Sequence, residues 1–436
     1  MGGLILAAPR SGSGKTMVTL GLLRALRRRG SRVAAAKVGP DYIDAGFLGA
    51  AAGTPCHNLD SWAMRRATIA ARVHALEAQS DIVLCEGVMG LFDGAGLAGE
   101  GSTAAIAALT GWPVVLVIDV SGQAASVAAL VEGFAHHRKD IDIVGVIFNR
   151  VAGDRHAAMV DAAMARVLPA IRILGHVPRG TGLELPSRHL GLVPAGETAE
   201  LDPVLDRAAA IVGAAVDLDA IAALVRRSTL EPTTNQTILP RLGAHIAVAR
   251  DPAFTFAYPA VLEAWRASGA AVSFFSPLAD EAPAADADAV YLAGGYPELH
   301  APRLAASRNF LGGLRAAASR GAVVYGECGG YMVLGETLTD ADGTDHAMAG
   351  LLPLKTSFAA RKLHLGYRAV RLEDDGIFGK AGVAFRGHEF HYASIVAEGD
   401  GRPLFQVSDA DGNALTPSGR VAGNVMGSFV HLIDRV

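Results

Sequence analysis

Short apolar segments alternate with helical stretches along most of this chain, and this alternation limits the possible folds more than any other feature. Buried strands that alternate with helices form parallel sheets covered by helices on both faces. The segments that show this pattern in the first half of the chain are Leu4–Ala8, Arg32–Lys37, Ile82–Cys85, Val114–Ile118, Ile143–Phe148 and Ile173–Val177. The sequence therefore predicts a doubly wound α/β fold for this half.

A second alternating series follows after a break in the pattern. Its segments are Ile246–Ala249, Val272–Phe275, Val290–Ala293 and Val323–Tyr325, with a β-rich region after them from Gly366 to Val407. Between the two series, Ser228–Pro240 is rich in proline and threonine and poor in apolar residues, which is typical of a linker. The sequence predicts two doubly wound α/β domains, at residues 1–227 and 243–436, joined by a linker at 228–242.

Composition excludes several classes of protein. With 51% hydrophobic and 19% charged residues, the chain has too much core-forming material to be disordered. A net charge of −4 gives no broad positive field, so neither nucleic acid nor a membrane surface is a predicted partner. The three cysteines, Cys56, Cys85 and Cys328, are too few for a disulfide framework or a zinc cluster and indicate a reducing compartment.

Two segments bear on localisation. Met1–Ala8 runs directly into a glycine-rich loop instead of a basic start and a cleavage site, so no signal peptide is predicted. Gly101–Ile118 carries no charge, but Gly111-Trp112-Pro113 interrupts it, and we expect a helix, a turn and a buried strand instead of a membrane span. The predicted localisation is cytoplasmic.

A phosphate-binding loop follows the first predicted strand. The loop Pro9–Thr16 lies between Leu4–Ala8 and the helical stretch Met17–Leu26, in the order that such a loop requires. Its glycines let backbone N–H groups surround phosphates, Lys15 reaches the β- and γ-phosphate oxygens, and the Thr16 hydroxyl can ligate Mg²⁺. Pro9 stands where the pattern usually has its first glycine. The residues predicted to bind ATP are Gly12, Ser13, Gly14, Lys15 and Thr16.

Carboxylates lie where other strands of the first half end. The second strand leads into Lys37–Asp44, and the third ends at Glu86, followed by a glycine-rich loop. Because ligands of open α/β sheets bind at the carboxyl ends of the strands, Lys15, Asp41 and Glu86 can converge and hold Mg²⁺ against the phosphates. The alternative for Glu86 is a helix-capping partner or a surface charge. The predicted metal ligands are Thr16, Asp41, Glu86 and Asp93.

Two further polar residues follow strands. Lys37 is a point charge that can orient an acyl-phosphate or carboxylate oxygen beside the phosphates, which makes it a candidate catalytic residue. Its alternative is a solvated strand end. Asn149 follows the strand Ile143–Phe148, and an asparagine in that place is a candidate contact for the base of a nucleotide.

The second half contains a nucleophile elbow. Val323–Tyr325 runs into Gly326-Glu327-Cys328-Gly329-Gly330, a strand, a Gly-x-Cys-x-Gly turn and a helix. Small residues on both sides permit the strained turn that exposes the side chain, and the N-terminus of the helix is expected to lower the pKa of the thiol. Cys328 is therefore the predicted nucleophile, while Cys56 and Cys85 lack this context and are predicted to be structural.

A thiolate nucleophile requires a base. His431 is the candidate that we choose, but His388 and His391 compete with it, and spacing does not decide because such partners lie far apart in the chain. Backbone donors for an oxyanion are predicted at Gly294–Tyr296 and at the amide of Gly329. An ordinary tight turn is the alternative for the glycine pair.

Seven motifs, in this order, resemble those of one family. They are Gly14-Lys15-Thr16, Lys37–Asp44, Glu86–Asp93, Leu185–Leu192, Gly294–Glu298, Gly326–Gly330 and Gly387–Tyr392. Over nearly its whole length the chain resembles the cobyrinic and hydrogenobyrinic acid a,c-diamide synthases of cobalamin biosynthesis. The N-terminal half is similar to dethiobiotin synthetase, and the C-terminal half to flavodoxin-like, triad-type glutamine amidotransferases. Ile433 stands where those amidotransferases carry the glutamate of a His-x-Glu motif, so a Cys328–His431 pair is implied.

The resemblance implies an ATP- and glutamine-dependent amidation. ATP phosphorylates a side-chain carboxylate of a corrin macrocycle with the help of Mg²⁺, Cys328 releases ammonia from glutamine, and the ammonia displaces phosphate. Repetition on a second carboxylate gives the a,c-diamide. Asp93 matches a family position associated with metal and phosphate. The residues implied in substrate handling are Asp41, Tyr42, Ile43 and Asp44.

Two other classes of protein remain open at this point. A glutamine-dependent ligase that acts on another acceptor, such as a nickel sirohydrochlorin, keeps both sites. A phosphate-loop ATPase of the partitioning type accounts for the N-terminal loop but leaves the cysteine elbow unexplained. The sequence does not decide whether the corrinoid carries cobalt, although the cobalt-free acid is favoured, and it leaves a homodimer open.

Overall fold

The computed structural model describes residues 2–97, 99–180, 187–188, 191–192, 201–233 and 238–436. Two compact units are found, Met1–Trp62 with Arg66–Asn235 and Ala63–Arg65 with Gln236–Val436. Residues 234–237 of the predicted linker lie outside the described residues. So does most of the motif Leu185–Leu192, of which the structure describes only the backbone of two short strands.

The first unit alternates strands and helices. Its strands are β1 (Gly2–Ala7), β2 (Val33–Val38), β3 (His57–Leu59), β4 (Ile82–Glu86), β5 (Val114–Asp119), β6 (Ile143–Val151), β7 (Arg172–Pro178), β8 (Ser187–Arg188) and β9 (Gly191–Leu192). Its helices are α1 (Lys15–Arg28), α2 (Ile43–Ala52), α3 (Arg66–Gln79), α4 (Thr103–Thr110), α5 (Ser126–His137), α6 (Asp154–Val167), α7 (Leu201–Ala215) and α8 (Leu218–Leu224).

A parallel sheet forms the centre of this unit. Within the described ranges it has seven strands in the order β3-β2-β4-β1-β5-β6-β7. Every residue of β1, β2, β4 and β5 is buried, as expected of strands covered on both faces. The three-residue strand β3 was too short for the apolar pattern to predict. The carboxyl ends of β1, β2, β4 and β6 meet at one edge and carry the polar residues that the sequence singles out.

The uncharged segment Gly101–Ile118 folds as predicted. The hydroxyl of Ser102 accepts a hydrogen bond from the Ala105 backbone N–H and so begins α4. Gly111 ends the helix with a φ of 70°, and β5 follows as a buried strand. Across the described residues, no helix is long and apolar enough to span a membrane.

The second unit has more β structure. Its strands are β10 (His245–Ala249), β11 (Ala271–Phe275), β12 (Ala289–Leu292), β13 (Val323–Glu327), β14 (Thr337–Thr339), β15 (Asp345–Ala347), β16 (Leu354–Ser357), β17 (His364–Leu372), β18 (Ala384–His391), β19 (Ser394–Glu398), β20 (Phe405–Ser408), β21 (Ala414–Ser418), β22 (Arg420–Ala422), β23 (Val425–Ser428) and β24 (Val430–Arg435). Its helices are α9 (Pro259–Ala267), α10 (Ala301–Ala306), α11 (Arg308–Ser319) and α12 (Gly329–Leu334).

Two of its sheets position the predicted amidotransferase residues. In the part of the chain that is described, six strands in the order β11-β10-β12-β13-β23-β22 form a mostly parallel sheet, and β21-β20-β17-β18-β24 form an antiparallel one. Strand β23 leads through Phe429 into β24, so these two consecutive strands connect the sheet of the elbow with the sheet that carries His388, His391 and His431. The α/β prediction for both halves is confirmed.

Close backbone packing fixes the elbow between β13 and α12. A Cβ atom on Gly330 would overlap the carbonyl oxygen of Leu292 in β12, and one on Gly326 would lie 2.7 Å from the carbonyl carbon of Gly330. Cys328 between them has a φ of 50°, a backbone conformation that residues other than glycine rarely adopt. The small residues of the motif are therefore required by packing.

We expect Gly330→Ala to lower the free energy of unfolding of the second unit by about 1–3 kcal/mol, because a methyl group has no space against a backbone carbonyl. Gly312→Ala is the matched control, since Gly312 lies within α11 and an added Cβ meets nothing within 4 Å. That control should gain about 0.5–1 kcal/mol from helix propensity. Denaturant unfolding of both variants measures the difference, and equal stabilities would contradict the packing argument.

Candidate active sites

The phosphate loop is shaped by a residue from another strand. The Asn149 side-chain amide, near the end of β6, donates a 2.9 Å hydrogen bond to the Ser13 carbonyl oxygen. A Cβ atom on Gly14, whose φ is 88°, would overlap the same amide group. Asn149 therefore supports the loop, and its contact with a nucleotide base stays a prediction.

Two residues at the start of α1 face the end of β4 and the loop that follows it. The Lys15 ammonium donates a 2.7 Å hydrogen bond to the Met89 carbonyl oxygen, and burial lowers the pKa of Lys15 against the attraction of Glu86. The Thr16 hydroxyl donates a 2.8 Å hydrogen bond to Oε1 of Glu86. The predicted phosphate-binding lysine and the predicted metal-binding carboxylate thus belong to one contact network.

Lys37 lies at the centre of this network and is not a solvated strand end. Its side chain is 4% exposed, and its ammonium donates 2.8 Å hydrogen bonds to Oε1 of Glu86 and to Oδ2 of Asp44. Burial acts to lower the pKa of Lys37, but the two carboxylates outweigh it and hold that pKa well above its usual value. The group is therefore a permanent buried cation.

The loop after β2 begins a helix. Oδ1 of Asp41 accepts hydrogen bonds from the backbone N–H groups of Ile43 (2.8 Å) and Asp44 (3.1 Å), at the first turn of α2. Burial, reinforced by Asp44, raises the pKa of Asp41 to about 7. Tyr42 and Ile43, implied in substrate handling, are both buried here.

Asn58 is a residue that the sequence analysis missed. Its side-chain amide, on β3, donates 2.8 Å hydrogen bonds to the carbonyl oxygens of Gly39 and Asp41 and so holds the loop that precedes α2. Its strand has only three residues, so no local pattern marked it.

The geometry around Glu86 fits a magnesium ion. Glu86 is 1% exposed, and its Oε2 atom has no hydrogen-bond partner among the residues that the structure describes, although its Oε1 contacts Thr16 and Lys37. A buried carboxylate oxygen beside a hydroxyl is a ligand pair that Mg²⁺ prefers. Asp93 is exposed and accepts a 2.9 Å hydrogen bond from the Gly90 N–H, while Oδ1 of Asp41 holds the start of α2. The arrangement fits Thr16 and Glu86 best, and the four metal ligands stay predictions.

The nucleophile candidate Cys328 is held at the end of β13. Its backbone N–H donates a 2.8 Å hydrogen bond to the Ser428 carbonyl oxygen, and its Sγ lies 3.8 Å from the Phe390 carbonyl oxygen. The expectation of a lowered thiol pKa is wrong for this structure, because burial raises that pKa and nearby Glu298 adds to the effect. Helix α12 has six residues, and its first N–H, from Gly329, gives only a partial compensation. The thiol therefore depends on a base to become a nucleophile.

His431 on β24 is placed to be that base. A Cβ atom on Gly294 would lie 3.0 Å from Nε2 of His431 and 3.2 Å from Cβ of Cys328, so the imidazole and the cysteine approach the same face of this glycine. Burial, with His388 and His391 nearby, lowers the pKa of His431 to about 3. The ring is therefore neutral at physiological pH, as a base must be before it accepts a proton.

The two competing histidines have other surroundings. Both ring nitrogens of His391 are engaged, Nε2 with Oε1 of Glu389 at 2.8 Å and Nδ1 with the Ala393 carbonyl oxygen at 3.0 Å. His388 is the strand partner of His431 in the β18–β24 pair, and burial lowers its pKa to about 4. The contacts of His391 make it a poor base.

The turns predicted to hold an oxyanion come together. A Cβ atom on Gly329 would lie 3.1 Å from the backbone nitrogen of Gly295, so the start of α12 and the loop after β12 are in close contact. A Cβ on Gly295 would overlap the Ala253 carbonyl oxygen. The two turns therefore pack against each other beside Cys328, and their role in holding an oxyanion stays a prediction.

Comparison with known proteins finds two different domain families in the chain. Residues 4–193 match the CobQ/CobB/MinD/ParA nucleotide-binding domain, and residues 245–435 match the CobB/CobQ-like glutamine amidotransferase domain. A Brucella anthropi protein named hydrogenobyrinate a,c-diamide synthase is 52% identical over 436 residues, covering 100% of this chain and 99% of its own. The chain belongs to this family. Relatives of the same name from Brucella suis (54% identical, 100% and 99% covered) and Rhodobacter capsulatus (52%, 99% and 98%) support the assignment.

Membership in the family confirms the resemblance drawn from the seven motifs. The chain is a nucleotide-binding, glutamine-dependent amidating ligase, so a partitioning-type ATPase is excluded. The first match covers residues of the first α/β unit except 63–65, and the second match lies within the second unit. The roles of individual site residues rest on the geometry given above.

We expect Glu86→Gln to lower amidation with either nitrogen source by about 10²–10³-fold, because the substitution removes the charge beside Thr16 and keeps the side-chain shape. Ammonia-dependent turnover and a thermal melt measure it. Glu77→Gln is the matched control, because Glu77 is an equally buried carboxylate that bonds Trp112 and the Ser228 N–H instead. Near-normal turnover with a lower melting temperature would make Glu86 structural and would transfer the metal site to Asp41 or Asp93.

Proposed function

We propose that this protein uses ATP and glutamine to convert the a and c side-chain carboxylates of hydrogenobyrinic acid into amides. The observation that carries the proposal is the presence of two different sites in one chain of this family, a phosphate loop with a buried carboxylate and a cysteine elbow facing a histidine. Such an amidation requires two activities, phosphoryl transfer to the carboxylate and release of ammonia from glutamine, and each of the two sites fits one of them.

The first unit activates the substrate carboxylate. A carboxylate oxygen attacks the γ-phosphorus of ATP, the bond to the β,γ-bridging oxygen breaks, and an acyl phosphate and ADP form. Mg²⁺ held by Thr16 and Glu86 would neutralise charge on the phosphate oxygens. Lys15 and the loop amides orient ATP, while Lys37, a permanent cation, attracts the carboxylate or acyl-phosphate oxygen.

The second unit produces ammonia. His431 accepts the thiol proton of Cys328, the thiolate attacks the side-chain amide of glutamine, and the amide nitrogen leaves as ammonia after protonation by His431. Water then hydrolyses the thioester to glutamate. The backbone N–H groups near Gly295 and Gly329 stabilise the oxyanion of each tetrahedral intermediate. Ammonia attacks the acyl phosphate and releases phosphate, which completes one amide.

The identity of the acceptor is tested with a panel of substrates. Hydrogenobyrinic acid, cobyrinic acid and nickel sirohydrochlorin differ in the metal and in the macrocycle but all carry side-chain carboxylates. We expect hydrogenobyrinic acid to be amidated in two steps. Each step should change the mass of the corrinoid by the replacement of one carboxylate with one amide, and should consume one ATP. Amidation of the nickel compound alone would overturn the proposed acceptor and keep the ligase chemistry.

We expect Cys328→Ala to abolish glutamine-dependent amidation, with a loss above about 10³-fold, and to leave ammonia-dependent amidation within a factor of about three. The reason is that carboxylate activation uses residues of the other unit. Product formation with glutamine or with ammonium chloride measures both activities. A folded variant that loses the ammonia-dependent reaction as well would contradict this division of labour.

We expect His431→Ala to lower glutaminase activity by about 10²–10⁴-fold, the usual contribution of a general base. His391→Ala should retain at least a tenth of the activity, because both ring nitrogens of His391 already have hydrogen-bond partners other than the thiol. Glutaminase turnover and the rate of Cys328 alkylation by iodoacetamide measure the effect. If both depended on His391 and not on His431, the base would be misassigned.

A further inference from the structure

The base of the glutaminase site has a carboxylate on the side away from the nucleophile. Oε2 of Glu327 lies 3.7 Å from Nδ1 of His431. Glu327 is 2% exposed and His431 is fully buried, so water does not screen this pair. The residue immediately before the nucleophile thus faces His431, the proposed proton acceptor of that nucleophile.

Several donors hold the carboxylate in place. The Tyr291 hydroxyl donates a 2.7 Å hydrogen bond to Oε2 of Glu327, the Tyr325 hydroxyl a 2.9 Å bond to Oε1, and the Leu432 backbone N–H a 3.1 Å bond to Oε1. Tyr325 and Glu327 are two positions apart on β13 and therefore point to the same face of the sheet. Since Leu432 follows His431 directly, Glu327 contacts both the backbone and the imidazole of this part of β24.

We propose that Glu327 positions His431 and stabilises its protonated form, in the role that a glutamate two residues after the histidine fills in triad-type amidotransferases. Ile433 occupies that place in this chain and is buried. Glu327 reaches the imidazole from the strand of the nucleophile instead of from the strand of the base. The inference deepens the proposed function and depends on His431 being the base.

The arrangement fixes the tautomer of the imidazole. A carboxylate at Nδ1 favours the proton on Nδ1, which leaves the lone pair of Nε2 on the edge that approaches Gly294 and Cys328. When Nε2 accepts the thiol proton, the ring becomes positive beside the Glu327 carboxylate. The separation of 3.7 Å is longer than a hydrogen bond, and catalytic contacts of this kind shorten when substrate binds.

Burial determines how strongly this carboxylate acts. Burial raises the pKa of Glu327 to about 7, against the hydrogen bonds from Tyr291, Leu432 and Tyr325. A positive imidazole next to it favours the ionised form, so the charge on Glu327 and the charge on His431 support each other. The thiolate and imidazolium of the reacting state are therefore formed together with the ionised Glu327.

The test is Glu327→Gln, which keeps the size of the side chain and removes its charge. Glutaminase kcat should fall by about 10²–10⁴-fold with the KM for glutamine changed less than threefold, because glutamine itself does not contact Glu327 in this proposal. Alkylation of Cys328 by iodoacetamide at neutral pH should slow in parallel, because less thiolate is present. A kcat within threefold of the unsubstituted protein would overturn the proposal.

Two variants separate charge from structure. Glu327→Asp keeps the carboxylate, so its kcat should be at least tenfold higher than that of Glu327→Gln. Equal kcat values in the two variants would overturn the role of the charge. Tyr331→Phe is the matched control, because it removes a buried tyrosine hydroxyl that donates to Glu398 instead of Glu327, so its kcat should fall less than about threefold. A loss in Tyr331→Phe as large as in Glu327→Gln would show that packing, not the charge on Glu327, is responsible.

A measurement on the unsubstituted protein covers the case in which the variants fail to fold. Nitrogen-15 NMR of the histidine rings, with His431 assigned by comparison with His431→Ala, should show the proton on Nδ1, and a proton on Nε2 would overturn the proposal. Ammonia-dependent amidation of the corrinoid is followed in parallel. If that reaction were absent in the unsubstituted protein, the proposed acceptor would be wrong while the inference about Glu327 stands on the glutaminase data.

Discussion

A buried ammonium group holds the first site together. Lys37 contacts both Asp44 and Glu86, and Glu86 in turn accepts a hydrogen bond from Thr16 at the start of α1. The ends of β2 and β4 and the starts of α1 and α2 are thereby linked through one largely buried network. Removing one partner of such a buried set leaves an uncompensated charge and costs about 3–5 kcal/mol, so Lys37, Asp44 and Glu86 stabilise one another's positions. The position of the predicted metal-binding carboxylate follows from this requirement.

The fold and the rough location of both sites could be predicted because they depend on local patterns. Apolar segments alternating with helices give parallel sheets, and the ends of parallel strands meet at one edge, which brings Lys37 and Glu86 to the phosphate loop. Asn149 was predicted at that edge, but its contact with the Ser13 carbonyl depends on the path of the loop, which no local pattern encodes. Asn58 was missed because its strand has only three residues, too few for a local pattern to mark it.

The electrostatics of the second site were less predictable. A helix following the elbow suggested a thiol with a lowered pKa, yet the structure buries Cys328 and makes that helix only six residues long, so desolvation dominates. Glu327 gave no signal, because a residue between glycine and cysteine in a motif is normally treated as a spacer. Its importance depends on β24 bringing His431 to the face of β13 on which Tyr325 and Glu327 lie.

The space beside Gly294 has a consequence for how the two activities of this chain can be separated. A Cβ atom there would lie 2.4 Å from Cε1 of His431, 3.0 Å from its Nε2 and 3.2 Å from Cβ of Cys328, so any side chain at this position would have to displace the imidazole. The absence of a side chain at Gly294 is therefore a condition for the approach of the proposed base to the nucleophile. A substitution at this position would act on the glutamine-dependent reaction and leave the residues of the phosphate loop unchanged, so the nitrogen supply can be lost without the loss of any reacting group.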